Sequence, residues 1–232
     1  MKKLISSLIL GVIFFASCSE QYLVSGTSNV EGLEGRMLYL RVFKDSDMCA
    51  IDSSKVVHGK FKFRGIMDSV MMASVFLENS SVMPVVLESG DVSVNIDENM
   101  QSATGTPLND SLSNFIKKKS QIDARMAELP TKQLRMIMDG IDEDQIREEL
   151  AEQARELEIE NDKLITRFIR ANYNNVLGPG VFMIMTNSFP YPIMNPQIEE
   201  IISQAPPYFK NNPYVKEYIR VAESNMEKLR QY

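Results

Sequence analysis

The stretch that decides the fold runs from residue 92 to residue 116. It reads Val92-Ser93-Val94-Asn95-Ile96, then Gly105-Thr106-Pro107-Leu108-Asn109-Asp110, then Ser111-Leu112-Ser113-Asn114-Phe115-Ile116. Val92, Val94 and Ile96 alternate with Ser93, Asn95 and Asp97, the period of a strand with one face on a core and one in water. Beyond Leu108 the apolar residues Leu112, Phe115, Ile116, Ile122, Met126 and Leu129 follow a helical period of about 3.6. The chain therefore changes architecture near Gly105.

Upstream, the period-two pattern reaches back to Tyr22. Leu38, Leu40 and Val42 alternate with Met37, Tyr39, Arg41 and Phe43, and Phe61 and Phe63 alternate with Lys60, Lys62 and Arg64. Gly32, Gly35, His58-Gly59, Asn79-Ser80-Ser81 and Ser89-Gly90-Asp91 punctuate the strands. Residues 70–77 are apolar on both faces except at Ser74, which predicts a central strand. Pro84 predicts an edge position or a bulge. About seven short strands at this spacing predict an antiparallel β-sandwich or partial barrel.

Downstream, the first helix is expected to end before Pro130. Asp142, with Gln145 three residues on, reads as an N-cap. The helix after it carries Ile146, Leu150, Ala154, Leu157, Leu164 and Phe168, and runs for about thirty residues, roughly 45 Å. Its acidic front (Asp142, Glu143, Asp144, Glu148, Glu149) and basic end (Lys163, Arg167, Arg170) complement the helix dipole. Its apolar stripe reads as packing on neighbouring helices, with an interaction face as the alternative. Seven of the ten prolines lie between Pro179 and Pro213. Gly178-Pro179, Asn195-Pro196 and Asn212-Pro213 read as openings of short helices, where a missing N–H is tolerated. There is no fixed-period repeat and hence no solenoid. The fold class is α+β, a β domain over residues 22–106 followed by a helical domain over 107–232.

Composition limits the chemistry. The 232 residues hold two Cys, one His and no Trp, with 44% hydrophobic and 24% charged residues, an ordinary globular mixture. A structural zinc site needs four ligands of the His/Cys kind, and no Cys-x-x-Cys pair is present for thioredoxin-type redox work. An excess of 31 acidic over 25 basic side chains argues against a nucleic-acid partner. No cofactor and no catalytic set is expected.

The N-terminus adds a location. Met1-Lys2-Lys3 precedes a mostly apolar run from Leu4 to Ala16, too short for a membrane span, and the run ends in Phe15-Ala16-Ser17-Cys18. Residues 1–17 read as a signal peptide, and Ala16-Ser17-Cys18 resembles the lipobox of bacterial lipoproteins, with Phe15 in place of the usual Leu. The resemblance implies lipidation of Cys18, with residues 18–21 as a short tether and the membrane as a partner. A non-Asp residue at Ser19 implies the outer membrane, lipid-anchored and facing the periplasm. A plain signal peptide with an incidental Cys is the competing reading.

A second resemblance lies in the β region. Ile51-Asp52-Ser53, His58-Gly59-Lys60-Phe61-Lys62-Phe63-Arg64-Gly65, Val85-Val86-Leu87-Glu88-Ser89-Gly90 with Val92-Ser93-Val94, and Gly105-Thr106-Pro107-Leu108-Asn109-Asp110 together resemble the DUF4369 domain of Bacteroidota envelope lipoproteins. Phe168-Ile169-Arg170-Ala171-Asn172, with Asn175 and Leu177-Gly178, is similar to the helical segment that follows it. The resemblance covers roughly residues 22–185. In many members a thioredoxin-like domain comes next, whereas this sequence reaches Tyr232 with no further Cys, so the expectation is the N-terminal module alone.

Cys49, in Met48-Cys49-Ala50-Ile51, reads as a buried, inert thiol, and His58 as a solvent-exposed turn residue. Glu148, Glu149, Glu152 and Glu156, Asp45-Ser46-Asp47 and Asp142-x-Asp144 lack the Gly of a calcium loop and read as solvated faces. Met67, Met71, Met72, Met183, Met185 and Met194 read as core filling, with an adaptable groove or soft-metal site as the alternative. Asp68-Ser69-Val70 and Asp110-Ser111-Leu112 resemble O-glycosylation acceptors of Bacteroidota. The expected function is a non-catalytic, lipid-anchored envelope module for binding or scaffolding. The alternatives are an accessory to a separate thioredoxin-like oxidoreductase, and an envelope hydrolase using carboxylates.

Overall fold

The computed structural model describes residues 20–44, 47–98 and 100–230. Eight strands form two four-stranded sheets: β1 (Glu20–Ser28), β2 (Met37–Lys44), β3 (Asp47–Lys55), β4 (Lys60–Met67), β5 (Met71–Leu77), β6 (Ser80–Leu87), β7 (Gly90–Ile96) and β8 (Gln101–Thr104). The first sheet has the order β4-β1-β7-β8 and the second β3-β2-β5-β6. Val24, Phe63, Val92 and Val94 of one sheet meet Leu38, Leu40, Val75 and Val85 of the other in a buried core. The expected alternation is thus the inward face of the sandwich.

Most pairs are antiparallel, but β1 and β7 run parallel, Val24 opposite Val92. The expected antiparallel sandwich is present, with this one parallel pair inside it. Alternation determines which face is buried but carries no strand direction. β7 enters the first sheet only after β5 and β6 have paired in the second, and it arrives running the same way as β1. β5 is central, between β2 and β6. Pro84 sits on the edge strand β6 opposite Ser74, beside a register irregularity at Val75/Phe76, so it meets both conditions that a strand proline requires.

Six helices follow: α1 (Pro107–Met138), α2 (Glu143–Ala171), α3 (Leu177–Thr186), α4 (Pro196–Ser203), α5 (Pro207–Lys210) and α6 (Pro213–Arg230). α1 does not stop before Pro130; it continues to Met138. Pro130 is exposed, and the carbonyl that loses its N–H partner belongs to the half-exposed Met126 one turn back. Beyond the proline, Met136 is buried against α2, and Lys132 pairs with Glu149 at 2.6 Å, which carries the helix on. The helix ends instead at Gly140, φ +75°, where Ile141 N–H donates to Met136 C=O (3.1 Å) and Gly140 N–H to Ile137 C=O (3.0 Å), a Schellman stop. Asp142 caps α2 as expected, its carboxylate accepting from the N–H groups of Asp144 and Gln145. Asn195 and Asn212 cap α4 and α6 in the same way, through Ile198 N–H and Tyr214 N–H.

The helices share their own core, centred on Ile169, Phe182, Ile198 and Phe209. That core packs on the outer face of the second sheet through Val86, Val70 and Met72. The first sheet's outer face carries polar and half-exposed residues, with Ile66 of β4 an exposed apolar exception. Both seams of the sandwich are closed by side chains bonding to backbone. On one side Asp52 and Ser54 of β3 accept the Arg64 and Lys62 N–H groups of β4 (2.9 and 3.0 Å). On the other side α1 lies over the edges of β6 and β8. The Asn109 carboxamide accepts from Val86 N–H (2.9 Å) and donates to Val86 C=O (2.8 Å), and the Ser113 hydroxyl accepts from Ala103 N–H (3.0 Å).

Candidate functional site

Where the helical part leaves the second sheet, a groove of about 710 Å³ remains. That lies within the range of small-molecule sites, roughly 300–1,000 Å³. Its floor is apolar: Val42, Met71 and Met72 from the sheet, and Val176, Pro179 and Met183 from the helical side. Gly180 makes the close approach possible, because a Cβ there would stand 2.8 Å from Met72 Cγ. Phe43 and Tyr214 meet edge to face across the junction, ring centroids 5.2 Å apart. Ile66 and Tyr208 form an exposed apolar rim, at 66% and 54% accessibility.

Among the polar groups of the groove, Asp52 and Tyr214 are committed to bonds within the fold. Asp52 accepts Ser53 N–H (2.7 Å) and Arg64 N–H (2.9 Å) with its two oxygens. Burial pushes the Tyr22 hydroxyl above the ordinary tyrosine range, and the Asp52 charge adds to it. Tyr214 is also raised by burial, while its hydroxyl bonds Thr186 (2.8 Å) and donates to Asn187 (3.0 Å). Lys44, Arg64 and Asp68 stand at the border of the groove. The arrangement offers an apolar floor with charges at the rim, a surface for holding a ligand. Asp52, committed to two backbone N–H groups, is poorly placed to act as a general base; the other carboxylate of the groove, Asp68, is exposed.

The sequence candidates fall in different places. Met71, Met72 and Met183 line the groove, while Met67 and Met185 are buried in the two cores and Met194 packs against the helical one. The residues offered as one set thus divide between filling and lining. Cys49 is exposed, which corrects the expected burial. Its apolar surroundings in sequence belong to β3, an edge strand most of whose residues face water. His58 is an exposed turn residue with φ +51°, as expected. Glu149 pairs with Lys132 and Glu152 with Arg155, and both carboxyls lie below the ordinary range because of those hydrogen bonds. Glu148 and Glu156 are exposed on the same helix. Ser69 is exposed at the groove border, whereas Ser111 is half-buried in the first turns of α1. Cys18 and the pair Asp45-Ser46 lie outside the described residues; Asp47 accepts Met48 N–H. Among the described residues no three His, Cys, Asp or Glu side chains converge on a metal position. Among them, too, no helix is long and apolar enough to cross a membrane.

Sequence reasoning missed Phe43 of β2 as a partner of Tyr208 and Tyr214, which lie more than 160 residues later in α5 and α6 and share no motif with it. It also missed what Glu88 and Asn109 do. The buried Glu88 carboxylate accepts the N–H groups of Leu108 and Asn109 (3.0 and 3.2 Å), capping α1 from across the sheet where Thr106 makes no cap bond. Both residues stand within the quoted family phrases, the available signal that those phrases are mechanical joints.

Comparison with curated proteins and with solved structures gives no match to this chain. A family model described as a domain of unknown function, DUF4369, matches residues 22–112. The match covers the eight strands almost completely and ends at Leu112, three residues past the asparagine that joins α1 to β6. Residues 22–112 are a DUF4369 domain, the sandwich together with the first turns of the helix bonded to it.

Proposed function

We propose that this chain is a non-catalytic binding module of the cell envelope, anchored through a lipid on Cys18 at the outer membrane and facing the periplasm, with the junction groove as its binding site. The observation that carries the reading is the groove itself. Three methionines and several aromatic rings from both halves of the chain form one apolar cleft whose rim is charged. Methionine is unbranched and polarizable, and suits surfaces that accept ligands of varied shape. The anchor is supported by the residues around Cys18 and by the start of β1 at Glu20, which leaves little free chain between a lipid and the sandwich.

Two measurements test it. Cys18→Ala is expected to abolish acyl labelling in envelope membranes, and continued labelling would refute the anchor. For the groove, the probe is the dye 8-anilinonaphthalene-1-sulfonate, an apolar ring system with one anionic group. Its fluorescence is expected to rise saturably on the full-length chain and to weaken at least about tenfold in affinity with Met183→Asp. Met138→Ser, at the far exposed end of α1, is expected to leave it unchanged. Equal binding by Met183→Asp with an unchanged thermal midpoint would refute the groove.

A further inference from the structure

The second sheet is covered by helices; among the described residues no element covers the outer face of the first, and its side chains are ordered in rows. The register places Lys62 beside Ser25, Ser25 beside Ser93, and Ser93 beside Thr104. The next row, two residues along, is Lys60, Thr27, Asn95 and Ser102. Paired residues point to the same side of a sheet, and neighbouring strands lie about 4.8 Å apart, so each row is a continuous ladder of short polar groups starting at a lysine. Short side chains across the middle and long ones at β4 make the face concave. A trough of about 750 Å³ lies along it, bounded further by Ser54, Lys55 and Val57.

The charge of this trough is opposite to that of the molecule. The chain carries a net charge of −6, yet three lysines and no carboxylate line the trough. Lys60 and Lys62 make no ion pair among the described residues; Lys55 is under the influence of Glu34. Of the acids bordering it, Glu34 accepts two turn N–H groups and Asp97 accepts from Asn95 and the following loop, while Asp91 stands one row beyond Ser93, in the row headed by Arg64.

We propose that this face binds an acidic polysaccharide, a hydroxyl-rich chain bearing uronate or phosphate groups. The anions would meet the Lys60 and Lys62 ammonium groups, and the sugar hydroxyls would exchange hydrogen bonds with Ser25, Ser93, Asn95 and Thr104. Other polyanions fit less well. Single-stranded nucleic acid is held on aromatic stacking platforms and guanidinium planes, and no arginine and no exposed aromatic ring lines the trough, since Phe61 is buried in the core. An acidic protein surface asks for an apolar, aromatic centre, where this lining offers only Val57.

The test is calorimetric titration of the full-length chain with an oligogalacturonate at low salt, beside a neutral dextran of equal length and a polyglutamate. Binding to oligogalacturonate alone is expected, weakening as salt rises. Lys60→Gln with Lys62→Gln is expected to reduce affinity at least about tenfold with an unchanged thermal midpoint. Met183→Asp is expected to leave it intact, so the trough and the groove fail or stand separately. No binding at low salt, equal binding by the double variant, equal binding of dextran, or tighter binding of polyglutamate would each overturn the proposal.

Discussion

Glu34 follows the short 3-10 turn Glu31–Leu33, and its carboxylate reaches the hairpin turn between β3 and β4. There His58 and Gly59 have φ values of +51° and +68°, and their adjacent N–H groups point at Oε1 and Oε2, each at 2.9 Å. The Gly59 bond first, then the His58 bond, hold the Glu34 carboxyl below its ordinary value of 4.5. A folded-state value below the unfolded one means that the contact favours the fold above the ordinary Glu range. That support is lost as pH falls through the lower folded value. The amide proton shifts of His58 and Gly59 are expected to titrate together with a midpoint below 4.5, and to show no such titration in Glu34→Gln. A midpoint at or above 4.5 would contradict the assignment. At this same scale Cys49 shows where a residue's neighbours in sequence mislead: an apolar tetrapeptide looked buried, but an edge strand exposes it.

At the scale of elements, α1 is the piece that joins the two halves. The carboxamide of Asn109 pairs with both backbone groups of Val86, as a further strand would, and so closes an edge that would otherwise be open to another chain. Asn109 and Val86 are both fully buried. Replacing Asn109 with Leu leaves the Val86 N–H and C=O without partners and out of reach of water, at a cost of about 3 kcal/mol. Urea unfolding should show that loss, and a change below about 0.5 kcal/mol would mean the joint is replaceable. The strands and the helix starts at Asp142, Asn195 and Asn212 were legible because each depends on local period or capping. The passage of α1 through Pro130 was not, since it depends on α2 lying alongside. The parallel β1–β7 pair was not, since alternation has no direction.

Across the whole molecule, the groove and the ladder face were legible in the sequence to different degrees. The ladder face could be read strand by strand as the polar half of an alternation, but only the register showed that lysines head the rows. The groove was half legible. The methionines were noted, but not that Met71, Met72 and Met183 would meet while Met67 and Met185 went into the cores. That division depends on which face of β5 and α3 turns toward the junction, a property of packing between distant parts of the chain. The central claim is that the junction is the binding site. Methyl-resolved NMR of the full-length chain carrying 13C-methyl methionine, titrated with 8-anilinonaphthalene-1-sulfonate, tests it most directly. The Met71, Met72 and Met183 signals are expected to move together and saturate, while those of Met67 and Met185 stay in place. Shifts confined to other methionines, with these three unmoved, would contradict it.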